Sequence, residues 1–421
     1  MCTEKNGENS SARLQSSGLR KLPYVYFKGE SLPLARTPLR AAPSGGDTPQ
    51  RPVRRTAVYR HKNFSEKTPK SQHFRDLYIG GFIMAYDKPF LDLDKQIDLL
   101  ISRNLIISDR EHAKQIIMTA SYYDLFNGYK SVFMNPDDTF KLDTTIESIY
   151  IFSFIDKGLQ SVTMKYSLMV ETLFKTRLAH VISEYLGVHQ DDYLHAHHYK
   201  QKISGLTFQN VKQEIQQQLN LRYAKQPTKY YLKHHNHVPA WILFKNISFG
   251  SAINLFKFLN TKHKIAVANT LLPTNTIVGK DKIELLINTL EAIRRFRNCA
   301  AHSLNFFGCR SIYNIPGNIL YNLLPKGVLK REKGKITKTD KKALRGLYGV
   351  LIMMVLLLND PLLITSLIYE CRTVFRNAKS NDIATQAVID FLNELNNKYK
   401  QATDLPINFE DKLELIHQSI T

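Results

Sequence analysis

Between Thr145 and Leu186 apolar residues recur at spacings of three and four: Ile149, Phe152, Ile155, Leu159, Val162, Tyr166, Met169 and Leu173. That is the repeat of one face of an α-helix, and a run this long means one long helix or two shorter ones packed by that face. Weaker versions of the pattern predict helices over Trp241 to Leu259, Ile283 to Ala301, Lys342 to Leu358, Leu362 to Phe375 and Ile383 to Lys398. Ahead of them, Leu91, Ile97, Leu99, Leu100 and Ile101 open a short amphipathic segment. Ser108 or Asp109 can cap a helix carrying Ala113, Ile116, Ile117 and Ala120. A Tyr-rich element from Ser121 to Lys130 follows, with Asn127-Gly128 as a turn or helix stop. Alternating strand patterns are scarce, so the expected fold class is all-α, a helical bundle.

Residues 1–83 break with this pattern. They are rich in Pro, Gly, Ser and Arg without helical period, the composition of a disordered segment. Gly80-Gly81, encoded GGN-GGN, can spell a bacterial ribosome-binding sequence two codons, about six nucleotides, before Met84. We therefore expect 1–83 to be a leader translated upstream of a native start at Met84; the rival reading is a basic arm that tethers RNA. The rest divides into a catalytic body over 84–313, a basic loop over 314–341 and a C-terminal helical region over 342–421.

The chain's formal charge is +21. Residues 1–83 hold 15 Lys and Arg against 6 Asp and Glu, leaving 43 against 31, so the body stays basic without them. Such an excess attracts polyanions through counterion release, with RNA the leading partner. The longest apolar run, Leu347 to Leu358, falls short of the roughly 20 residues a bilayer requires, so we expect no membrane association and read the run as a buried helix. Cys2, Cys299, Cys309 and Cys371 form no C-x-x-C pair and no disulfide framework, which fits a reducing cytoplasm.

The phosphate-loop, dinucleotide, zinc-protease and serine-elbow motifs are all missing from the sequence, and no cofactor is expected. Histidines gather at His189, His195, His197, His198, His234, His235 and His237, near Asp191 and Asp192. Metal ligation would need these on fixed scaffolds with a second shell; we read them as loop histidines on a polar surface and expect no metal. From Lys326 to Arg345 lie nine Lys and Arg against Glu332 and Asp340. With Gly327 and Gly334 opposing helix, the stretch reads as a mobile basic loop. Lys326, Lys330, Arg331, Lys333, Lys335, Lys338, Lys341 and Lys342 are its candidate RNA-binding residues, and a solvated connector is the alternative.

The segment from Leu290 to His302 carries the chemistry. It reads as an amphipathic helix with Leu286, Leu290, Ile293 and Ala300 inward, ending in small residues beside Arg297, Asn298 and His302. Metal-free RNA cleavage needs a base for the attacking 2′-hydroxyl, an acid for the departing 5′-oxygen and a cation for the phosphorane. Histidine titrates near working pH and serves as either acid or base. A guanidinium matches the phosphorane's oxygens with two parallel hydrogen bonds, better than an ammonium can. Five positions at about 100° each set Arg297 and His302 some 140° apart on an ideal helix. Either the helix deforms at its end, or two copies face each other and share a site. Spacing alone says little, since such a pair arises by chance about once in a chain this rich in Arg and His.

The context is a resemblance. Arg297-Asn298-Cys299-Ala300-Ala301-His302 resembles the R-N-x-x-x-H motif of HEPN ribonucleases, as found in Abi-like abortive-infection proteins of the AbiD/AbiF group. Lys88-Pro89 with Gln96-Ile97 and Leu99-Leu100 resembles that family's opening. Tyr122-Tyr123 through Asn127-Gly128-Tyr129-Lys130 and Phe133 resembles the AbiF branch. Glu171 with Lys175-Thr176-Arg177 is similar to an E-x-x-x-R-T-R helix, Lys175 departing from arginine. Pro239, Trp241 and Ser248-Phe249-Gly250 resemble its P-x-W and S-F-G stretch, with Lys245 where an acid is commoner. The resemblance runs from about Asp87 to Asn305. It implies a HEPN-type helical bundle with additional helices, a site paired across a homodimer, RNA as substrate and a small structured RNA as a further partner. It also implies a role in halting infected cells, with Arg297, Asn298 and His302 as the catalytic residues.

Overall fold

In the computed structural model, which describes residues 90–272, 276–302, 305–375 and 386–420, the polypeptide is all-α apart from two minimal hairpins. The expectations for residues 1–83 lie outside the described residues. The helices are α1 (Leu93–Ser102), α2 (Arg110–Ala120), α3 (Lys130–Phe133), α4 (Ile146–Leu186), α5 (Gln190–Tyr193), α6 (Phe208–Gln216), α7 (Thr228–His234), α8 (Ala240–Leu243), α9 (Phe249–Phe258), α10 (Thr261–Leu271), α11 (Gly279–His302), α12 (Gly317–Leu323), α13 (Lys338–Leu344), α14 (Leu347–Leu358), α15 (Pro361–Val374), α16 (Gln386–Thr403) and α17 (Phe409–Ile420). Strands β1 (Lys202–Ile203) and β2 (Leu206–Thr207) pair antiparallel, as do β3 (Arg331–Glu332) and β4 (Lys335–Ile336).

The apolar stripe forms one helix, not two. α4 is 41 residues long, capped at its start by the Thr145 hydroxyl, which accepts from Ser148 N. At 1.5 Å per residue it spans about 60 Å. α2, α5, α8, α9, α10, α11, α14, α15 and α16 all pack on it. Its buried line starts as predicted and then drifts: Val162, Tyr166, Val170, Phe174, Leu178 and Ile182 follow one another at four-residue steps, while Met169 and Leu173 are only partly buried. Each such step turns the line about 40° round the helix, so the two ends face different neighbours. The N-terminal part meets α15 and α16 through Tyr166–Glu370 and Asp156–Tyr399, and the C-terminal part meets α9 through Phe174 against Phe249 and Phe256.

α14 is buried at every one of its 12 positions, among α4, α11, α13, α15 and α17. A helix apolar all round belongs inside a core, as its sequence indicated. Among the described residues no helix is long and apolar enough to cross a membrane.

Two local expectations give way to shorter elements. Trp241 to Leu259 breaks into α8 and α9 because the Ser248 side chain accepts from Ser251 N and starts a new helix. The helix expected from Lys342 breaks at Gly346, which precedes α14. Asn127-Gly128 is a stop, as expected: the π-helical segment Tyr123–Asn127 ends there with Gly128 as its C-cap at φ −59°, and a turn follows before α3. A Cβ there would lie 1.9 Å from the Asp124 carbonyl oxygen, so the close approach demands glycine.

Candidate functional site

α4 and α11 lie side by side, and the chain leaving α11 is fastened to α4. Gln160 Nε2 donates to the Ala300 carbonyl at 2.6 Å. Four residues after His302, Phe306 N donates to Asp156 Oδ2 at 2.8 Å. Asp156 is fully buried on α4 and also accepts from Tyr399 Oη at 2.8 Å and Tyr129 Oη at 3.1 Å. Burial raises its pKa above the ordinary carboxylate value, against the opposing pull of Tyr399, Phe306 and Tyr129. Asn305 Nδ2 donates to Gly128 O at 2.8 Å, and Phe307 packs on Tyr129 and Phe152. The Tyr-rich element, the middle of α4 and the end of α11 are thus one packed unit around a single carboxylate.

Along α11, Arg297 turns toward α4. Its Nε lies 4.0 Å from Glu171 Oε2, an ion pair too long for a hydrogen bond, and its Nη1 donates to Asn298 Oδ1 at 3.3 Å. Glu171 is 13% exposed and Arg297 31%. The other Glu171 oxygen accepts from Lys175 Nζ at 2.6 Å, and Lys175 also donates to the Ile247 carbonyl at 2.7 Å, ahead of α9. Lys175 therefore ties α4 to the α8–α9 connection. Lys245 is exposed.

Buried polar atoms without a hydrogen-bond partner among the described residues gather here: Gln160 Oε1, Glu171 Oε2, Arg297 Nε and Asn305 Oδ1. Native interiors hold few such atoms, and each carries a desolvation cost of about 1–3 kcal/mol.

α11 runs unbroken through His302, which is exposed in its last turn. The deformation that could swing Arg297 and His302 together within one chain does not occur among the described residues. Arg297 contacts Glu171 and Asn298, and His302 shares no hydrogen bond or ion pair with them among the described residues. Asn298 is part-buried and accepts from Arg297. About two turns earlier, buried Glu291 is held by Lys257 of α9 and by Arg294 at 2.7 Å. Burial pushes the Glu291 pKa up, but these two cations outweigh it and the net shift is downward. Between Asn298 and His302, the buried Cys299 thiol hydrogen-bonds with Cys309, which with burial pushes the Cys309 pKa far up.

The basic stretch is an anchored structure rather than the expected mobile loop. α12 precedes it, and β3 and β4 form a hairpin whose two turn residues, Lys333 (φ 48°) and Gly334 (φ 75°), both occupy the left-handed region. Asp340 fixes its base, accepting from Lys330 N at 2.6 Å and from the Thr337 hydroxyl at 3.1 Å. Lys326, Lys330, Arg331, Lys333, Lys335, Lys338, Lys341 and Lys342 are all exposed; Lys342 pairs with Asp404 at 2.8 Å and Arg331 lies over Tyr321. Among the described residues no group of three or more His, Cys, Asp or Glu has the geometry to hold a metal ion.

Sequence reading named Arg297, Asn298 and His302 but gave no role to Asp156, Gln160 or Asn305. Asp156 was open to notice, as an acid set between Ile155 and Leu159 of the buried stripe.

The fold and site define an all-α protein with an arginine and a histidine at the end of a central helix and a basic hairpin further along the chain. Residues 115–308, which carry the Tyr-rich element, Glu171, Lys175, Ser248 and the whole of α11, match the family described as Abi-like protein, so this region is similar to Abi-like proteins. The match starts later than the resemblance traced from Asp87. No curated protein and no solved structure matches the chain.

Proposed function

We propose that this protein acts in abortive infection as a HEPN-type endoribonuclease of the AbiD/AbiF group, cutting RNA by attack of the 2′-hydroxyl without a metal. The observation that carries the reading is the end of α11. Arg297 is held on one side by Glu171 and Asn298, leaving Nη2 engaged by neither, while His302 stands exposed one turn and a half further on. In this reading Arg297 neutralises the phosphorane, His302 moves the proton at the 2′- or 5′-oxygen, and Asn298 sets the guanidinium plane. Because α11 continues unbroken to His302, with the two side chains some 140° apart round an ideal helix, the histidine facing a given Arg297 comes in this reading from a second copy, so the active species is a homodimer. The exposed cations from Lys326 to Lys342 hold the RNA backbone.

The test is cleavage of RNA in chelator by the full chain and by protein beginning at Met84, with end analysis for 2′,3′-cyclic phosphate. Arg297→Ala and His302→Ala are expected to lower the rate by about 10²–10⁴-fold at unchanged melting temperature, and a mixture of the two variants to regain part of it through hybrid dimers. Full activity from His302→Ala would sink the reading. One observation favours a second reading, a module that holds a small structured RNA without cutting it: among the described residues of one chain no hydrogen bond joins Arg297 to His302. RNA that co-purifies intact, with toxicity unaffected by Arg297→Ala, distinguishes it.

A further inference from the structure

Far along α4 from the candidate site, lysines and histidines collect around the start of α10, with Asp192 as the acid whose charge reaches His198. Asn260 occupies the N-cap position, yet its side chain does not cap the helix; it donates instead to the His197 carbonyl at 3.4 Å. The first amides of this 11-residue helix thus have no side-chain acceptor, and they carry its positive pole. Backbone bonds from Asn260 N to His198 O at 3.2 Å and from Lys200 N to Phe258 O at 2.8 Å bring the His195–Lys200 segment alongside.

The side chains there are basic and aromatic. The Nδ1 atoms of His195 and His197 are in contact, and the rings of His197 and His198 are 3.6 Å apart. His263 of the first turn of α10 lies 6.5 Å from His198 and 5.8 Å from the exposed Tyr185 of α4, over which Lys262 sits at 5.9 Å. Lys264 is 7% exposed and has neither an ion pair nor an ammonium hydrogen bond among the described residues; its charged neighbour is Lys200. Burial and that neighbour lower its pKa to about 8. Of the acids nearby, Glu184 is turned to His180 at 3.9 Å, and Asp192 is the one whose charge reaches His198.

An ammonium on a largely buried side chain, with no acid paired to it among the described residues, is favoured by a ligand that supplies the counter-charge. Uncapped helix amides favour the same charge, while burial lowers the pKa of His198 and His263 and leaves their imidazoles as neutral N–H donors; phosphate is the anion that such a set of donors recognises. A shallow groove lined by His180, Tyr185, Lys262 and His263 runs on from the point.

We propose that the start of α10, with His198, Lys200, His263 and Lys264 around it, binds a phosphate group, and that this phosphate belongs to a single RNA strand whose adjoining base stacks on Tyr185. The strand, though not the phosphate, rests on the RNA reading above. A free mononucleotide offers the same chemistry and is separated by experiment.

The test uses the full chain and two probes. Inorganic phosphate is titrated while the ring signals of His198 and His263 are followed by NMR. A labelled 2′-O-methyl oligoribonucleotide, which cannot be cut, is titrated by fluorescence anisotropy over a range of salt. The variants are Lys264→Met, the exposed Lys200→Gln, their combination, and Tyr185→Ala. Phosphate is expected to shift both rings in the wild type and not in Lys264→Met. The double variant is expected to bind the oligonucleotide about tenfold more weakly, with a salt slope shallower by roughly 0.7 for each phosphate left without its cation. Tyr185→Ala is expected to weaken binding without changing that slope. Shifted rings with unaltered oligonucleotide affinity in the double variant support the phosphate site and overturn the strand in favour of a mononucleotide. No ring shift, together with unchanged affinity in a double variant that melts normally, overturns the proposal entirely. Cleavage by His302→Ala bears only on the proposed function, so the two readings fail separately.

Discussion

Replacing Asp156 tests how the end of α11 is held. In Asp156→Ala the Tyr129 hydroxyl, the Tyr399 hydroxyl and the Phe306 amide lose their shared acceptor inside the core. Each buried donor left alone costs about 1–3 kcal/mol. Part of this is offset because the carboxylate is itself strained by burial, as its raised pKa shows, so a net loss of about 3–5 kcal/mol is expected. Asp156→Asn keeps one acceptor oxygen and gains a donor that a tyrosine hydroxyl can accept, for a loss of about 1–2 kcal/mol. Urea unfolding measures both. The pH dependence adds a sign. Between the ordinary carboxylate pKa and the raised one, the folded state holds more protons than the unfolded, so Asp156's contribution to stability falls as pH rises through that window and is regained on acidification. Asp156→Asn should lack this trend. Because Phe306 follows His302 by four residues, RNA cleavage by Asp156→Asn should drop more than its folded fraction does. An Asp156→Ala protein within about 1 kcal/mol of the wild type, or an asparagine variant less stable than the alanine one, would refute the reasoning.

Other outcomes follow from the same packing. Glu171→Gln removes the charge beside Arg297 but keeps a hydrogen-bond acceptor for Lys175; RNA cleavage should fall about tenfold or more while the melting temperature moves little, and Glu171→Ala should lose both. Lys264→Met should stabilise the protein by about 1–3 kcal/mol near neutral pH. The wild type, whose Lys264 pKa is lowered to about 8, should gain stability between there and the ordinary lysine value, where the folded state holds fewer protons; urea unfolding on either side of that window shows whether the gain vanishes in the variant. Reversing Lys333 and Lys335 to Glu on the exposed hairpin should weaken RNA binding and flatten its salt dependence without changing the unfolding midpoint, whereas Asp340→Ala, which unfastens the hairpin base, should lower that midpoint.

What could be read from sequence divides by the range of the interactions that decide it. α4 and α14 were legible because their apolar residues declare themselves locally, as a stripe in one and an uninterrupted run in the other. The break ahead of Ser248 and the split at Gly346 were missed because apolar periodicity continues across both, and only a cap or a close backbone approach interrupts it. The hairpin at Lys333-Gly334 was read as loop because each strand is two residues long, too short to alternate visibly. Arg297, Asn298 and His302 could be named from a motif, since all three lie on one helix. The partners that hold them could not. Glu171 and Asp156 sit on another helix more than a hundred residues earlier, and nothing in their spacing says which arginine or which amide they meet. The burial of Lys264 comes from the packing of α10 on α4, which its local sequence does not declare.

One uninterrupted helix carries Glu171, beside Arg297, and Tyr185, beside Lys262 and His263. Fourteen residues of α-helix separate them, a rise of about 21 Å along the axis. Neither point can approach the other without breaking α4, whose flanks are packed by nine other helices. A strand gripped at Tyr185 and presented to Arg297 would be measured against a fixed gauge, so the place of the cut would be set by length from the grip rather than by the bases read there.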